Sequence, residues 1–208
     1  MTARTLLLAG LAAGALLPLA PAGAQTPPPT PPPLSYGAPI PGLCTFSLNQ
    51  ILATSKVGQS VEARLKVLDQ QWRAELQPQA DAINTDKRAL DAVASTLDGP
   101  TRDARIANLQ LRATNFEKLE QQRLQEMQAT QQKQVGVIQH ALDPVLRDLF
   151  QGKSCTILFE RDSGGVAVVN PAMDISVAAV GQLDARIQTL TFDREHIEPG
   201  AQPPPQGR

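Results

Sequence analysis

The sequence predicts an α+β fold in which a small β body carries a long, protruding antiparallel helical hairpin arm. Glycine is absent from residues 59–98 and again from 100–135, and both stretches are rich in good helix formers. Short β-rich runs flank the two stretches. Four of the five phenylalanines lie outside this helical middle, namely Phe46, Phe150, Phe159 and Phe192. Because aromatic side chains supply much of the bulk of a core, we expect the core to be built from the two ends of the chain.

The N-terminus has the three parts of an export signal. Arg4 precedes an apolar run over residues 6–19, and small residues at 22–24 precede Gln25. Residues 1–24 are therefore predicted to be a signal peptide that is cleaved after Ala24, which would place the mature protein in the periplasm.

Proline marks both ends of the mature chain. Ten of the 18 prolines lie between Pro18 and Pro41, and four lie between Pro199 and Pro205. We therefore predict a Pro-rich disordered linker over residues 25–41 and a disordered tail over residues 194–208.

The hairpin arm is predicted over residues 55–142, from two apolar stripes with helical spacing. The first stripe includes Val61, Leu65, Leu68, Trp72 and Leu76, and the second includes Ile106, Leu109, Phe116, Ile138 and Leu142. Gly99 is expected to cap the first helix in the left-handed conformation, since Pro100 cannot continue it. Pro78 should kink the first helix, and Asp143 with Pro144 should start a separate short helix. At about 1.5 Å per residue, the helices would project roughly 55–70 Å.

The β-rich oligomerisation body is predicted over residues 42–54 and 143–193. It comprises a strand at 43–48, a hairpin of 155–159 with 166–169, a helix capped by Asp174, and a further strand at 189–192. One chain has too few strands to cover its sheet edges, so we expect oligomerisation.

Two cysteines are expected to join the strands on either side of the arm. Cys44 lies in the first strand and Cys155 opens the next, and an exported compartment permits their oxidation. Two free thiols and a bridge between chains remain open as alternatives.

Charge and composition exclude several classes of function. The net charge of −1 and the pI of about 6.1 give no basis for nucleic-acid binding. After the signal, no apolar run is long enough to span a bilayer, so membrane contact is expected to be peripheral at most. The chain contains two histidines, His140 and His196, and neither has metal-ligand spacing. We therefore predict no enzyme activity, no metal and no cofactor.

Several short motifs, in their order and spacing, resemble the OmpH-like (Skp) family of periplasmic outer-membrane-protein chaperones. They are residues 46–52 leading into 55–59, the glutamine-rich hairpin, the strand pair ending at Val169, and residues 174–176 before Leu183. The resemblance covers about residues 42–190. The arms differ from the strongly basic arms of that family, because residues 56–153 contain 14 Lys and Arg against 13 Asp and Glu.

The resemblance implies a homotrimer whose arms enclose unfolded outer-membrane proteins and prevent their aggregation without ATP. It places Phe46, Ile157, Phe159 and Val168 in the trimer body. Candidate client contacts are Trp72, Leu76, Ile83 and Met127, although the same stripe also fits the seam between the arm helices. The alternative function is a periplasmic coiled-coil scaffold or adaptor that binds one folded partner.

Overall fold

The computed structural model describes residues 34–198 of the 208-residue chain. The predicted signal peptide, residues 25–33 of the predicted linker and residues 199–208 of the predicted tail lie outside the described residues. The elements, in chain order, are β1 (Leu43–Phe46), α1 (Leu48–Thr54), α2 (Lys56–Val93), α3 (Gly99–Gly152), β2 (Ile157–Glu160) and α4 (Ser176–Arg186). Single 3-10 turns lie at Arg161–Ser163 and Pro171–Met173.

Two serines set the starts of the first two helices. The Ser47 hydroxyl accepts a hydrogen bond from the Gln50 N–H at 3.0 Å, and the Ser55 hydroxyl accepts one from the Gly58 N–H at 3.2 Å. Each bond satisfies a donor that has no partner within its helix. At the junction between α1 and α2, a Cβ on Gly58 would lie 1.9 Å from the Leu52 carbonyl oxygen. Only glycine permits this close approach of the two backbones.

The break between the long helices differs from the prediction. Helix α2 ends at Val93 with Ala94 as a right-handed C-cap, and Gly99 has no positive φ, so the predicted left-handed cap is wrong. Asp98 caps the start of α3, because its Oδ1 accepts a hydrogen bond from the Thr101 N–H at 2.9 Å. That bond also lowers the pKa of Asp98. Gly99 and Pro100 form the first turn of α3, where a missing proline N–H costs nothing. The predicted restart at Pro144 is also wrong, since α3 continues through it and buries Val145 and Leu149 on the same helix.

Helices α2 and α3 contact each other over much of their length. Asp86 pairs with Arg112, and the Glu75 Oε2 atom lies 3.8 Å from the Arg123 Nε atom. Earlier residues of α2 therefore contact later residues of α3.

The core lies where the two long helices meet the rest of the chain. Its buried members come from the start of α2, the end of α3, α4 and the segments around the two cysteines: Cys44, Ile51, Val57, Val61, Ile138, Leu142, Val145, Leu149, Cys155, Ile175, Ala179 and Leu183. Phe46, Phe150 and Phe192 pack against this cluster. Within residues 34–198, no helix is both long and apolar enough to cross a membrane.

A two-stranded parallel sheet brings the two ends of the helical segment together. Leu43 pairs with Ile157 and Phe46 pairs with Glu160, while Thr45 forms an isolated bridge to Asp174. Cys44 and Cys155 are joined by a disulfide, with their Cα atoms 5.7 Å apart.

The predicted β-hairpin and last strand are wrong. Residues 166–169 form no strand, because the chain turns away from β2 through a 3-10 turn and Gly164, whose φ is +92°. Residues 189–192 are extended but pair with neither strand. The sheet uses β1 as the sole partner of β2 in the described part of the chain, and the pairing is parallel rather than antiparallel.

Both of the segments predicted to be disordered include residues that form defined contacts in the structure. Residues 194–198 contact α2 and α3, so the prediction of disorder from residue 194 is wrong for these five. In the predicted linker, the Gly37 carbonyl accepts a hydrogen bond from the Asn170 side chain at 2.8 Å.

We predict that Gly58→Ala destabilises the protein by about 2 kcal/mol, because the new methyl group would collide with the Leu52 carbonyl. Gly136→Ala lies inside α3, where the added methyl group would meet open space, and should instead stabilise by about 0.5–1 kcal/mol. Urea unfolding followed by circular dichroism measures both changes. Equal effects of the two substitutions would show that the close approach at Gly58 is unimportant.

Candidate functional site

An extended C-terminal segment, residues 188–198, lies along the two long helices, and we call it the strap. Near the core, the Leu190 N–H donates to the Ser60 hydroxyl at 3.3 Å, and the Arg64 Nε donates to the Phe192 carbonyl at 3.0 Å. Farther along, the Gln122 side-chain amide donates to the Ile197 carbonyl at 3.0 Å. The strap therefore runs in the same direction as α2 and opposite to α3. The surface of α2 and α3 that it covers is called the arm groove below.

Glu126 of α3 is the centre of the contacts between the strap and the groove. Only 1% of its surface is exposed. Its Oε2 atom lies 2.8 Å from the Arg123 Nη1 atom and 3.1 Å from the Arg194 Nε atom. Its Oε1 atom accepts a hydrogen bond from the Ile197 N–H at 3.4 Å. A buried carboxylate is tolerated only with such partners, and one of the two arginines belongs to the strap.

Charges along the strap alternate, and the groove matches each of them. Asp193 pairs with Arg64, and Glu195 pairs with Lys133 at 2.7 Å. Between them, the Arg194 Nη1 atom lies 3.5 Å from the Glu75 Oε2 atom, in addition to its contact with Glu126. This order of acid, base and acid fixes the position of the strap along the groove.

The only tryptophan of the chain lies next to this cluster. Trp72 is 5% exposed, and its indole N–H donates to the Asp69 Oδ1 atom at 3.0 Å. The Arg73 guanidinium, 4.8 Å from the centre of the ring, forms a cation–π contact and also lowers the pKa of Asp69 through a hydrogen bond. Trp72, Glu75 and Leu76 lie on one face of α2, since they are three and four residues apart. Glu75 contacts Arg194, so this face borders the strap.

A cavity of about 830 Å³ continues from the end of the strap. Ile197 and Glu198 form one side of it. The other lining residues are of three kinds, apolar (Pro78, Ala82, Ile83, Phe116, Leu119), amide-bearing (Gln79, Asn115, Gln121, Gln122, Gln125) and cationic (Arg112, Lys118). Such a lining offers apolar contact together with both donors and acceptors.

The four candidate client residues do not lie on one accessible surface. Trp72 and Leu76 are 5% and 4% exposed, so neither is accessible to a client in this structure. Ile83 is half-buried and lines the cavity, and Met127 is half-buried next to Glu126 in the sequence.

The four candidate trimer residues lie near the sheet and differ in exposure. Phe46 is half-buried against the core. Ile157 and Phe159 are 51% and 47% exposed, and Val168 is 59% exposed. Ile157 and Phe159 alternate with Leu158, which packs against the core, so they lie on the opposite face of the sheet.

The section around residues 120–134 is rich in glutamine and has few apolar residues. The structure instead buries Glu126, Thr130 and Gln134 there. The Thr130 hydroxyl accepts a hydrogen bond from the Glu195 N–H at 2.9 Å, so the strap covers a face that the two helices alone leave polar. This site was missed because residues 194–198 were assigned to the disordered tail and residues 189–192 to a strand. The alternating charges at residues 193–195 were the available signal.

No group of three or more potential metal ligands occurs among residues 34–198. The arm groove and the cavity offer ion pairs, amides and apolar surface, which are means of binding a polypeptide.

A family model described as outer membrane protein (OmpH-like) matches residues 42–183. The chain belongs to this family. A crystal structure of an OmpH-like protein from Caulobacter crescentus CB15, described as a candidate outer membrane chaperone, is 37% identical. The match covers 80% of this chain and 97% of that one, with a TM-score of 0.67. A comparison with curated proteins found no match.

The resemblance noted from the sequence motifs is thus confirmed, and both comparisons support a chaperone role. The OmpH-like family match ends at residue 183, before the strap begins. The contacts of the strap are therefore features of this chain that the family match does not describe.

We predict that Glu126→Ala destabilises the protein by about 3 kcal/mol, because Arg123 and Arg194 lose their shared buried partner. Glu117→Ala, an exposed glutamate on the same helix, should change stability by less than about 0.5 kcal/mol. Urea unfolding of both variants measures the difference. An E126A variant as stable as the wild type would show that the cluster does not hold the strap.

Proposed function

We propose that this protein is an exported, ATP-independent holdase that binds unfolded outer-membrane proteins and prevents their aggregation in the periplasm. The observation that carries the proposal is the 37% identity to the OmpH-like Caulobacter protein over 80% of the chain. The export signal expected at residues 1–24 supports the periplasmic location.

The proposal assigns α2 and α3 to an antiparallel hairpin arm that protrudes from the core. The ion pairs of Asp86 with Arg112 and of Glu75 with Arg123 support this direction. The buried apolar cluster supports it too, because it draws only on the start of α2 and the end of α3. A holdase needs adaptable contacts spread over a large surface, which long arms supply.

The proposal also includes a homotrimer built on the sheet. One chain contributes two strands in its described part, and an isolated two-stranded sheet is marginally stable. Exposed Ile157, Phe159 and Val168 provide the apolar surface that a partner chain would cover.

We expect the protein to suppress aggregation of several unrelated porins diluted from urea, without added ATP. Light scattering measures the suppression, and a soluble protein of similar size serves as the control. A scaffold or adaptor would leave the scattering unchanged and bind one native partner, and that outcome would contradict the holdase function.

We expect sedimentation equilibrium at micromolar concentration to give the mass of three chains. Phe159→Asp should dissociate the trimer, because it introduces a charge into the proposed interface. The matched control is Leu111→Asp, which changes an exposed leucine on α3 and should leave the trimer intact. A monomeric wild-type protein, or a trimeric F159D variant, would contradict the assignment.

A further inference from the structure

We propose that the arm groove is a binding site for extended polypeptide carrying a basic residue, and that the strap occupies it as an intramolecular ligand which clients displace. The inference rests on the proposed function, because it identifies where on the arm a client binds. Three observations support the inference: the contacts of the strap, the charges of the groove residues around Glu126, and the cavity next to Ile197.

The groove recognises the strap largely through its backbone. The Phe192 and Ile197 carbonyls accept hydrogen bonds from Arg64 and Gln122. The Glu195 and Ile197 N–H groups donate to Thr130 and Glu126. Every polypeptide in an extended conformation presents the same groups at the same spacing, so the site is tolerant of sequence.

Charge adds a preference for a basic residue. At the centre of the groove, Glu75 and Glu126 face the single guanidinium of Arg123, which leaves one excess negative charge at this point. On either side, Arg64 and Lys133 pair with the two acids of the strap. Arg194 of the strap balances the excess charge at the centre. A client segment that covers Glu126 must supply a Lys or Arg at this point, because an unpaired buried carboxylate is strongly disfavoured.

The cavity next to Ile197 continues the arm groove. Its amide side chains suit further backbone groups, and Ile83, Phe116 and Leu119 suit apolar side chains. A client segment bound in place of residues 194–198 would therefore meet these apolar and amide side chains as well.

The outer part of the strap, residues 194–198, can dissociate from the groove while the inner part, up to residue 192, remains packed. Leu190 and Phe192 pack against the core. From residue 193 onward the strap belongs to no helix or strand, and the side chains of Asp193 and His196 are almost fully exposed. Release of residues 194–198 would uncover Glu126 and the face of α2 that carries Trp72 and Leu76.

Two forms of the protein test the inference: a chain ending at Asp193, and full-length Arg194→Ala. The probe is a fluorescent peptide with the sequence of residues 194–198, and its binding is followed by anisotropy. We expect both forms to bind it at least about tenfold more tightly than the wild type, whose own strap competes at high effective concentration. A peptide with Glu in place of the residue equivalent to Arg194 should bind at least about tenfold more weakly.

Trp72 provides a second readout, since it is the only tryptophan. Its emission should shift to the red in both forms and return to the wild-type position when the peptide binds. Arg102→Ala removes an exposed arginine near the start of α3 and is the matched control, with emission and peptide affinity as in the wild type.

Competition by a urea-unfolded porin completes the test. We expect the porin to displace the peptide from the shortened chain and to bind that chain and the R194A variant more tightly than the wild type. Failure of the folded, shortened chain to bind the peptide would overturn the inference. Peptide binding without competition by the porin would also overturn it. Suppression of porin aggregation by the wild type is scored separately, so failure of the inference and failure of the proposed function are distinguishable.

Discussion

The pairing of β1 with β2, reinforced by the disulfide between Cys44 and Cys155, is the constraint on which the rest of the structure depends. These strands stand before and after the three helices α1, α2 and α3, so that whole segment must begin and end at one place. The segment contains two long helices, α2 and α3, with a short connection between them. On a chain-entropy model, a bond across 111 residues contributes about 4–5 kcal/mol.

The strap also covers a polar face of the two long helices, which have few aromatic residues of their own to cover it. Glu126, Thr130 and Gln134 lie where a conventional seam would place apolar side chains. Covering them requires partners that form hydrogen bonds, and an extended backbone supplies a donor and an acceptor at every residue. The same property makes the covered face suitable for other extended chains.

The helices were predictable from the sequence because their apolar spacing and lack of glycine are local signals. The structure joins Cys44 to Cys155, but Cys155 lies two residues before β2 rather than opening that strand. The parallel pairing was missed, because a turn sequence such as Asp162 to Gly165 indicates a change of direction without indicating which strand the chain then joins. Pro144 was misjudged for a related reason. Burial of Val145 and Leu149 against the core outweighs the one hydrogen bond that proline removes.

The strap could not be recognised from local propensity. Its residues form no helix or strand, and the property that positions it is complementarity to charges more than 60 residues away. Composition alone therefore assigned residues 194–198 to the proline-rich tail. Only the three-dimensional arrangement of Arg64, Glu126 and Lys133 shows why residues 193–195 alternate in charge.

The disulfide beside β1 and β2 affects how the structure responds to a force on helices as long as α2 and α3. A lateral force on the distal end of these helices produces a torque at the base, which tends to separate β1 from β2. The hydrogen bonds of a two-stranded sheet resist such a load weakly, whereas a covalent bond between Cys44 and Cys155 does not yield at comparable forces. The helices can therefore bend under load while the base keeps its shape.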